Sequence, residues 1–312
     1  MEIDAVTLGL FLASAVRLSG PLILASLGEL ISERAGVFNI GLEGIMLIGA
    51  FAGAATMVLT GSPMLGVAAG VGGGVASAAI LATAVVIMRA DQVVTGIGFN
   101  LLALGTTSLL RQLLLAGPTE SVSVRAVSVY KIPVLSTWPI VGRGLFSQSP
   151  LLYGGVVAGL LLWLMFRYTR LGLLVRAAGE GATAADAAGL SVTAIRFGAM
   201  LATGAMTGLG GAYLAIVASG GVFVDDITAG RGYLSIAIAI FGRWNPIWVV
   251  LTSILFGCAD ALQYQGQSIG LNISPALLLM FPFVLALVAW VAIGRSATGP
   301  SDLGRPFIRS AR

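Results

Sequence analysis

Apolar runs long enough to cross a bilayer alternate with short polar or charged breaks along most of this chain. At about 20 residues per span, the first run, Ala5 to Leu27, predicts a membrane helix. Arg17 interrupts it and is expected to face the bundle and meet a carboxylate or carbonyl, a structural role favoured over a substrate contact. Pro21 is expected to kink the same helix. A second span reaches Leu59 and stops at the TGSP turn, and a third covers Met64 to Met88. The run Gly72-Gly73-Gly74 inside the third marks a close helix contact. After a charged junction, Arg89 to Gln92, the fourth span reads VVTGIGFNLLALGTTSLL, where Thr95 to Gly98 predicts local unwinding. Later spans fall at Leu151–Phe166, Phe197–Ala218, Tyr233–Phe241, Ile247–Leu262 and Pro275–Ile293.

The breaks carry the orientation. Residues 116–150 hold several prolines and serines and the one lysine, Lys131, which reads as an external loop with Trp138 and Phe146 at the interface. Residues 167–196 carry Arg170, Arg176 and Arg196, and residues 295–312 carry Arg295, Arg305, Arg309 and Arg312, so both belong on the cytoplasmic side. Counting from these anchors gives about nine crossings, within a range of about eight to ten, with the N-terminus outside. Asp225 and Asp226 then fall outside, and Gly242 to Pro246 inside. The expected fold is an all-α, polytopic helical membrane protein occupying residues 1–312 as a single domain.

One stretch resists this scheme. GELISERAGVFNIGLEGIMLIGA, Gly28 to Ala50, places Glu29, Glu33, Arg34, Asn39 and Glu43 between apolar runs. Charged or non-helical backbone at membrane depth is tolerated only where protein or a water-filled cavity surrounds it. The stretch therefore predicts a broken, re-entrant segment: Glu29, Glu33 and Arg34 at the cytoplasmic end of the first helix, where charge is cheap, and Asn39 to Gly44 entering the membrane.

Composition agrees. Hydrophobic residues make up 57% of the 312 residues and charged residues 10%, with a mean hydropathy of +0.99, against roughly 25% charge in soluble domains. The 43 glycines suit a bundle in which small residues let helices approach closely. A net charge of +4 is accounted for by cytoplasmic arginines, so no nucleic-acid partner is expected. The single cysteine, Cys258, allows no disulfide within the chain. The absence of histidine weakens hydrolytic and metal-dependent readings.

A faint repeat runs through the chain. NIGLEGIMLIGAFAGA is echoed by TAGRGYLSIAIAIFG, and GIGFNLL by SIGLNIS, in the same order in the two halves. Transporter folds often carry such duplication, with binding where interrupted helices meet at the repeat interface, although glycine-rich membrane sequence produces chance likeness of this kind.

Gly179-Glu180-Gly181 followed by Ala184 to Leu190 predicts a short helix ending at a glycine. By composition alone it is a solvated loop. It also resembles the ATPase-coupling loop of ABC importer permeases, in which acidic and alanine residues precede a glycine. More specifically, GELISERAGVFNIGLEGIMLIGAF resembles the first block of the branched-chain amino acid, ribose and nucleoside permease family, nucleoside or simple-sugar subgroup. GRGYLSIAIAIFGRWNP and LFGCADALQ resemble later blocks of that subgroup in the same order, so the likeness covers nearly the whole chain.

The resemblance implies a multi-pass permease subunit of a bacterial inner-membrane uptake system for a nucleoside or related sugar, with its C-terminus cytoplasmic. It implies a partner ABC ATPase that uses ATP-Mg, a second, related permease in a heterodimer, and a substrate-binding lipoprotein. The chain itself would be no enzyme and bind no cofactor, which fits the absence of a GxxxxGK[ST] phosphate loop. Coupling would fall to Gly179, Glu180, Ala184, Asp186, Ala188 and Gly189. Hydrogen-bonding and aromatic groups suit an uncharged ligand, so the route is expected to involve Asn39, Glu43, Phe99, Asn100, Tyr233 and Asn272. For Glu43 a structural cap is favoured over ligand contact. Asp225 and Asp226 are candidates for contact with the binding protein against simple solvation. Asp260 either lines the external vestibule or, as slightly favoured, is merely solvated. Arg243-Trp244 is expected to anchor a helix hairpin, docking to the ATPase being the lesser option. Import of ribose-type sugars or branched-chain amino acids is the alternative. A secondary transporter would need a carboxylate relay that Glu43 and Asp260 alone supply thinly, and a membrane enzyme lacks any catalytic constellation.

Overall fold

A computed structural model of the chain describes residues 5–115, 130–131, 141–266, 274–293 and 299–308. Twelve α-helices occur among them. Their order is α1 Ala5–Arg34, α2 Leu42–Thr60, α3 Pro63–Ala82, α4 Gln92–Leu114, α5 Val141–Leu145 and α6 Pro150–Tyr168. Then come α7 Arg170–Glu180, α8 Ala182–Ala187, α9 Val192–Tyr213, α10 Arg231–Phe241, α11 Pro246–Gln265 and α12 Pro275–Ile293. Single π-turns at Thr83–Ile87 and Leu214–Ala218 extend α3 and α9. Seven helices among the described residues are long and apolar enough to cross a membrane. The apolar α12 adds 19 residues; α10, with 11, reaches only about 16 Å, half of a hydrocarbon core about 30 Å thick.

Local chemistry sets the helix starts. Ser62-Pro63, Ser149-Pro150 and Asn245-Pro246 open α3, α6 and α11: each cap side chain accepts a backbone N–H, and proline takes the first helical position, where no N–H is needed. Asp91 does the same for α4, accepting from Val93 and Val94. Two expectations are corrected here. α4 runs unbroken through Thr95 to Gly98: Gly96 packs against the backbone of Ile40 and Gly41, and the helix stays continuous from Gln92 to Leu114. Arg17 is exposed rather than turned inward; its carbonyl accepts from the Tyr213 hydroxyl at 3.1 Å.

Helix α9 lies at the centre of the bundle. Thr203 donates to the carbonyl of Gly28, and Tyr213 lies against Gly20, so α9 runs antiparallel to α1. Gly49 meets Gly208 and Gly53 meets Ala212, so α9 runs parallel to α2. Against α3 it is antiparallel again, and there backbones touch: a Cβ at Gly74 would run into the carbonyl of Gly204 and the Cα of Gly208. The third-span glycine run foretold this, though Gly72 faces open space. On the far side of α1, Ser26 and Ser253 bond at 3.1 Å and Gly257 packs on Ala15 and Ser19, which sets α11 antiparallel to α1. Leu22, Leu27, Leu30, Leu234, Ile238, Phe241 and Phe256 fill the core between α1, α10 and α11.

Most of the segment read as an external loop, 116–150, lies outside the described residues, Trp138 included. Its described parts form a two-residue strand pair, β1 Tyr130–Lys131 against β2 Ser147–Gln148, together with α5.

Candidate functional site

Two helices begin in the interior of the bundle, and their starts meet. α2 follows the break at residues 35–41, and α10 follows a looped segment at residues 219–230. Glu43, in the first turn of α2, accepts hydrogen bonds from the backbone N–H groups of Gly230 at 2.9 Å and Gly232 at 2.6 Å. One carboxylate thus satisfies two of the open donors at the start of α10, where the helix dipole favours negative charge. Gly232 is required by contact: a Cβ there would strike the Glu43 backbone. Gly230 has φ +81 and so adopts the left-handed conformation open to glycine.

Asn100 of α4 closes the junction. Its Oδ1 accepts from Gly44 N–H at 2.8 Å; its Nδ2 donates to the Ile40 carbonyl at 2.9 Å and to the Tyr233 hydroxyl at 2.8 Å. Phe99 packs beside Gly44 and is buried, whereas Tyr233 is 45% exposed. The structure therefore brings Glu43, Phe99, Asn100 and Tyr233 together at the two helix starts. Asn39 lies off this junction: its backbone N–H donates to Glu29 at 3.1 Å, and its buried Nδ2 has no partner. Asn272 lies outside the described residues.

The charged end of α1 differs from its expectation. Glu29 and Glu33 are fully buried rather than exposed at an interface. Side chains also cover them: Glu29 accepts from the Ser32 hydroxyl at 3.1 Å, and Glu33 accepts from the Trp244 indole N–H. Arg34 donates to the Trp244 carbonyl at 3.1 and 2.9 Å. Arg243 and Trp244, with φ +51 and +52, turn the chain from α10 into α11, so Trp244 fastens that turn to α1.

The segment after α6 forms α7 and α8 at this same end. Gly179 is buried under the Arg34 carbonyl and Gly36, while Glu180, Ala184, Ala188 and Gly189 are exposed and Asp186 is half-buried. Gly189, at φ +87, closes α8 as a left-handed cap. Residues 299–308 lie over this segment: Asp302 N–H donates to the Gly179 carbonyl at 2.9 Å, its carboxylate accepts from Ala182 N–H at 2.7 Å, and Gly304 N–H donates to the Gly36 carbonyl at 3.2 Å. Buried Arg196 donates to the carbonyls of Ala35, Ala178 and Arg305 at 3.1, 3.3 and 2.7 Å. Sequence reasoning treated Arg196 as a mark of orientation and overlooked this hub; its only signal was an arginine placed just inside an apolar helix.

At the other end, Asp225 receives a two-pronged bond from Arg111, at 2.8 and 2.6 Å. That hydrogen bonding holds its carboxyl below the usual aspartate range. Asp226, φ +55, is exposed beside it. Asp260 is not solvated as favoured: it is buried and paired with Arg231 at 3.1 Å. Arg231 was missed because the seventh span was begun at Tyr233, two residues too late. Among the described residues no group of three or more metal-ligating acids or cysteines occurs.

Residues 11–298 match the family described as branched-chain amino acid transport system / permease component. The chain is 35% identical to the nucleoside ABC transporter permease protein NupC of Lactococcus lactis subsp. cremoris, over 97% of this chain and 98% of that one. It is 33% identical to the guanosine ABC transporter permease protein NupQ of Bacillus subtilis, over 94% and 95%. It is 34% identical to a putative glucose ABC transporter permease protein, TsgC13, of Haloferax volcanii, over 85% and 80%. No solved structure matches the chain.

Proposed function

Because this chain belongs to the branched-chain amino acid transport system permease family of ABC transporters, we propose that it is the membrane-spanning subunit of an ATP-driven importer of nucleosides. The family places it among transport subunits that work with an ATPase and a substrate-binding protein. The observation that carries the reading is the meeting of α2 and α10 at Glu43, Asn100 and Tyr233. Broken helices whose starts converge inside the bundle are how transporters present polar groups to a ligand at mid-depth. At the junction both Glu43 oxygens are already engaged and Arg231 is paired with Asp260, so it suits a neutral ligand with hydrogen-bonding edges rather than an ion. Substrates named in these three relatives favour nucleosides over glucose, since the two that align over 94% or more of both chains carry nucleoside and guanosine names, while the glucose-named one aligns over 85% and 80%.

In this reading Asn39, Glu43, Phe99, Asn100, Tyr233 and Asn272 border the route, Glu43 by shaping it. The end bearing α7 and α8 faces the cytoplasm with the 299–308 segment, and Glu180, Ala184, Asp186, Ala188 and Gly189 meet the ATPase, with Gly179 seating the helix beneath. Asp226 faces the binding lipoprotein while Asp225 shapes its loop through Arg111. The second permease is a related chain in a heterodimer, and the membrane is the bacterial inner membrane. Reconstituted with ATPase, second permease and binding protein, the complex should take up labelled guanosine with ATP present and the proton gradient dissipated. Uptake that persists without ATP and ends with the gradient would sink the proposal.

A further inference from the structure

The first turn of α10 is held on two sides by carboxylates. Glu43 takes the N–H groups of Gly230 and Gly232, and the side chain between them, Arg231, reaches the other way to Asp260 of α11. The Arg231 and Asp260 side chains are 11% and 7% exposed. The Tyr264 hydroxyl lies 3.4 Å from the same guanidinium nitrogen, and the buried Arg231 Nε has no partner. Beside the pair opens a cavity of about 90 Å³, walled further by Gln263, Pro282 and Phe283.

Resting on the importer reading above, we propose that this cavity is a pentose subsite, taking the hydroxyl-bearing sugar of an uncharged ligand. A sugar hydroxyl both donates and accepts. Asp260 accepts, Arg231 donates, and the Gln263 amide and Tyr264 hydroxyl do both, so adjacent hydroxyls find complementary partners. The ion pair is neutral as a unit and so offers no net positive charge to offset the desolvation of a phosphate, which favours a sugar over its phosphorylated form. The Tyr264 and Phe283 rings, 60% and 48% exposed, offer apolar surface to the C–H face of the ring. A single water needs about 10–15 Å³, so the cavity accommodates a cluster of hydroxyls but not a whole nucleoside; the base stays outside it. A sugar that draws Asp260 into its own hydrogen bonds also loosens the hold on Arg231 and hence on the start of α10.

The test is ligand protection of introduced thiols in the full transporter, with ATPase, second permease and binding protein, in membrane vesicles. In a Cys258→Ser background, Gln263→Cys and Tyr264→Cys are each labelled with a membrane-impermeant thiosulfonate, and co-purification with the ATPase reports assembly. Saturating guanosine or ribose should slow labelling about tenfold, as ligand at ten times its Kd leaves about a tenth of sites open. Guanine and guanosine monophosphate should have no such effect. The second thiol position serves where the first fails to assemble. Protection by guanine alone, equal protection by the monophosphate, or no protection in a complex that takes up guanosine overturns the subsite. A complex that takes up no nucleoside yet is protected by ribose keeps the subsite and removes the nucleoside reading.

Discussion

At the scale of single residues, Glu43 decides most. Each of its oxygens takes one backbone N–H from the start of α10, so Glu43→Gln turns an acceptor into a donor facing a donor. A buried donor left unsatisfied costs about 1–3 kcal/mol, and thermal unfolding of the purified complex should show a loss of that size. Guanosine uptake should fall with it. A fully stable variant would show that the two bonds do not hold the junction. Asp225 gives a prediction in pH. Its folded-state pKa is lowered by the hydrogen bonds from Arg111, so its contribution is complete above the ordinary aspartate value and is lost as pH falls through the lowered one. The stability difference between wild type and Asp225→Asn should therefore be flat from neutral pH down to about 5 and vanish only below about 3.9. A difference that changes between pH 6 and 8 would exclude this origin.

Among the helices, α8 and the contact of α3 with α9 behave oppositely. Ala184 projects from α8 into solvent, so Ala184→Arg should leave the permease folded and abolish ATP-dependent uptake, with loss of ATPase from the purified complex. Retained uptake would move the docking surface elsewhere. Gly74 meets Gly204 and Gly208 backbone to backbone, and overpacking of this kind costs about 1–3 kcal/mol or more. Gly74→Val should lower expression of folded protein sharply, whereas Gly72→Val, facing open space, should be close to neutral. Detergent-solubilised yield and unfolding temperature distinguish the two. The same contrast shows what the sequence could convey. Runs of hydropathy and breaks such as TGSP predicted helices and their ends, because these depend on neighbours in the chain. Which glycine of 72–74 touches another helix, and that Glu29 and Glu33 are covered, depends on partners far away in sequence. Asn100 was legible as polar in an apolar helix; its three partners, on α2, α10 and the break before α2, were not.

For the whole molecule, the first pair of echoing motifs takes on a geometric relation. α1 and α9 run antiparallel, α2 leaves the junction towards one end, and α10 leaves it towards the other, as in an inverted-topology repeat. The first pair of echoes therefore meets at Glu43 and Gly232; the SIGLNIS echo of the second pair falls, but for Ser274, outside the described residues. Arg196 ties the opposite end together through carbonyls on the α1–α2 break, α7 and the 299–308 segment. Arg196→Ala leaves those carbonyls unpaired and should uncouple ATP hydrolysis from uptake while the binding protein still docks; hydrolysis and uptake measured in the same vesicles decide it. The position of residues 299–308 bears also on how the protein is made. Asp302 completes the hydrogen bonding of Ala182, 120 residues earlier in the chain. A ribosome exposes α7 and α8 long before it delivers their brace. If the ATPase docks there as proposed above, it should join only subunits in which α12 has already been synthesised, which pulse-chase capture of the ATPase on stalled nascent chains would check.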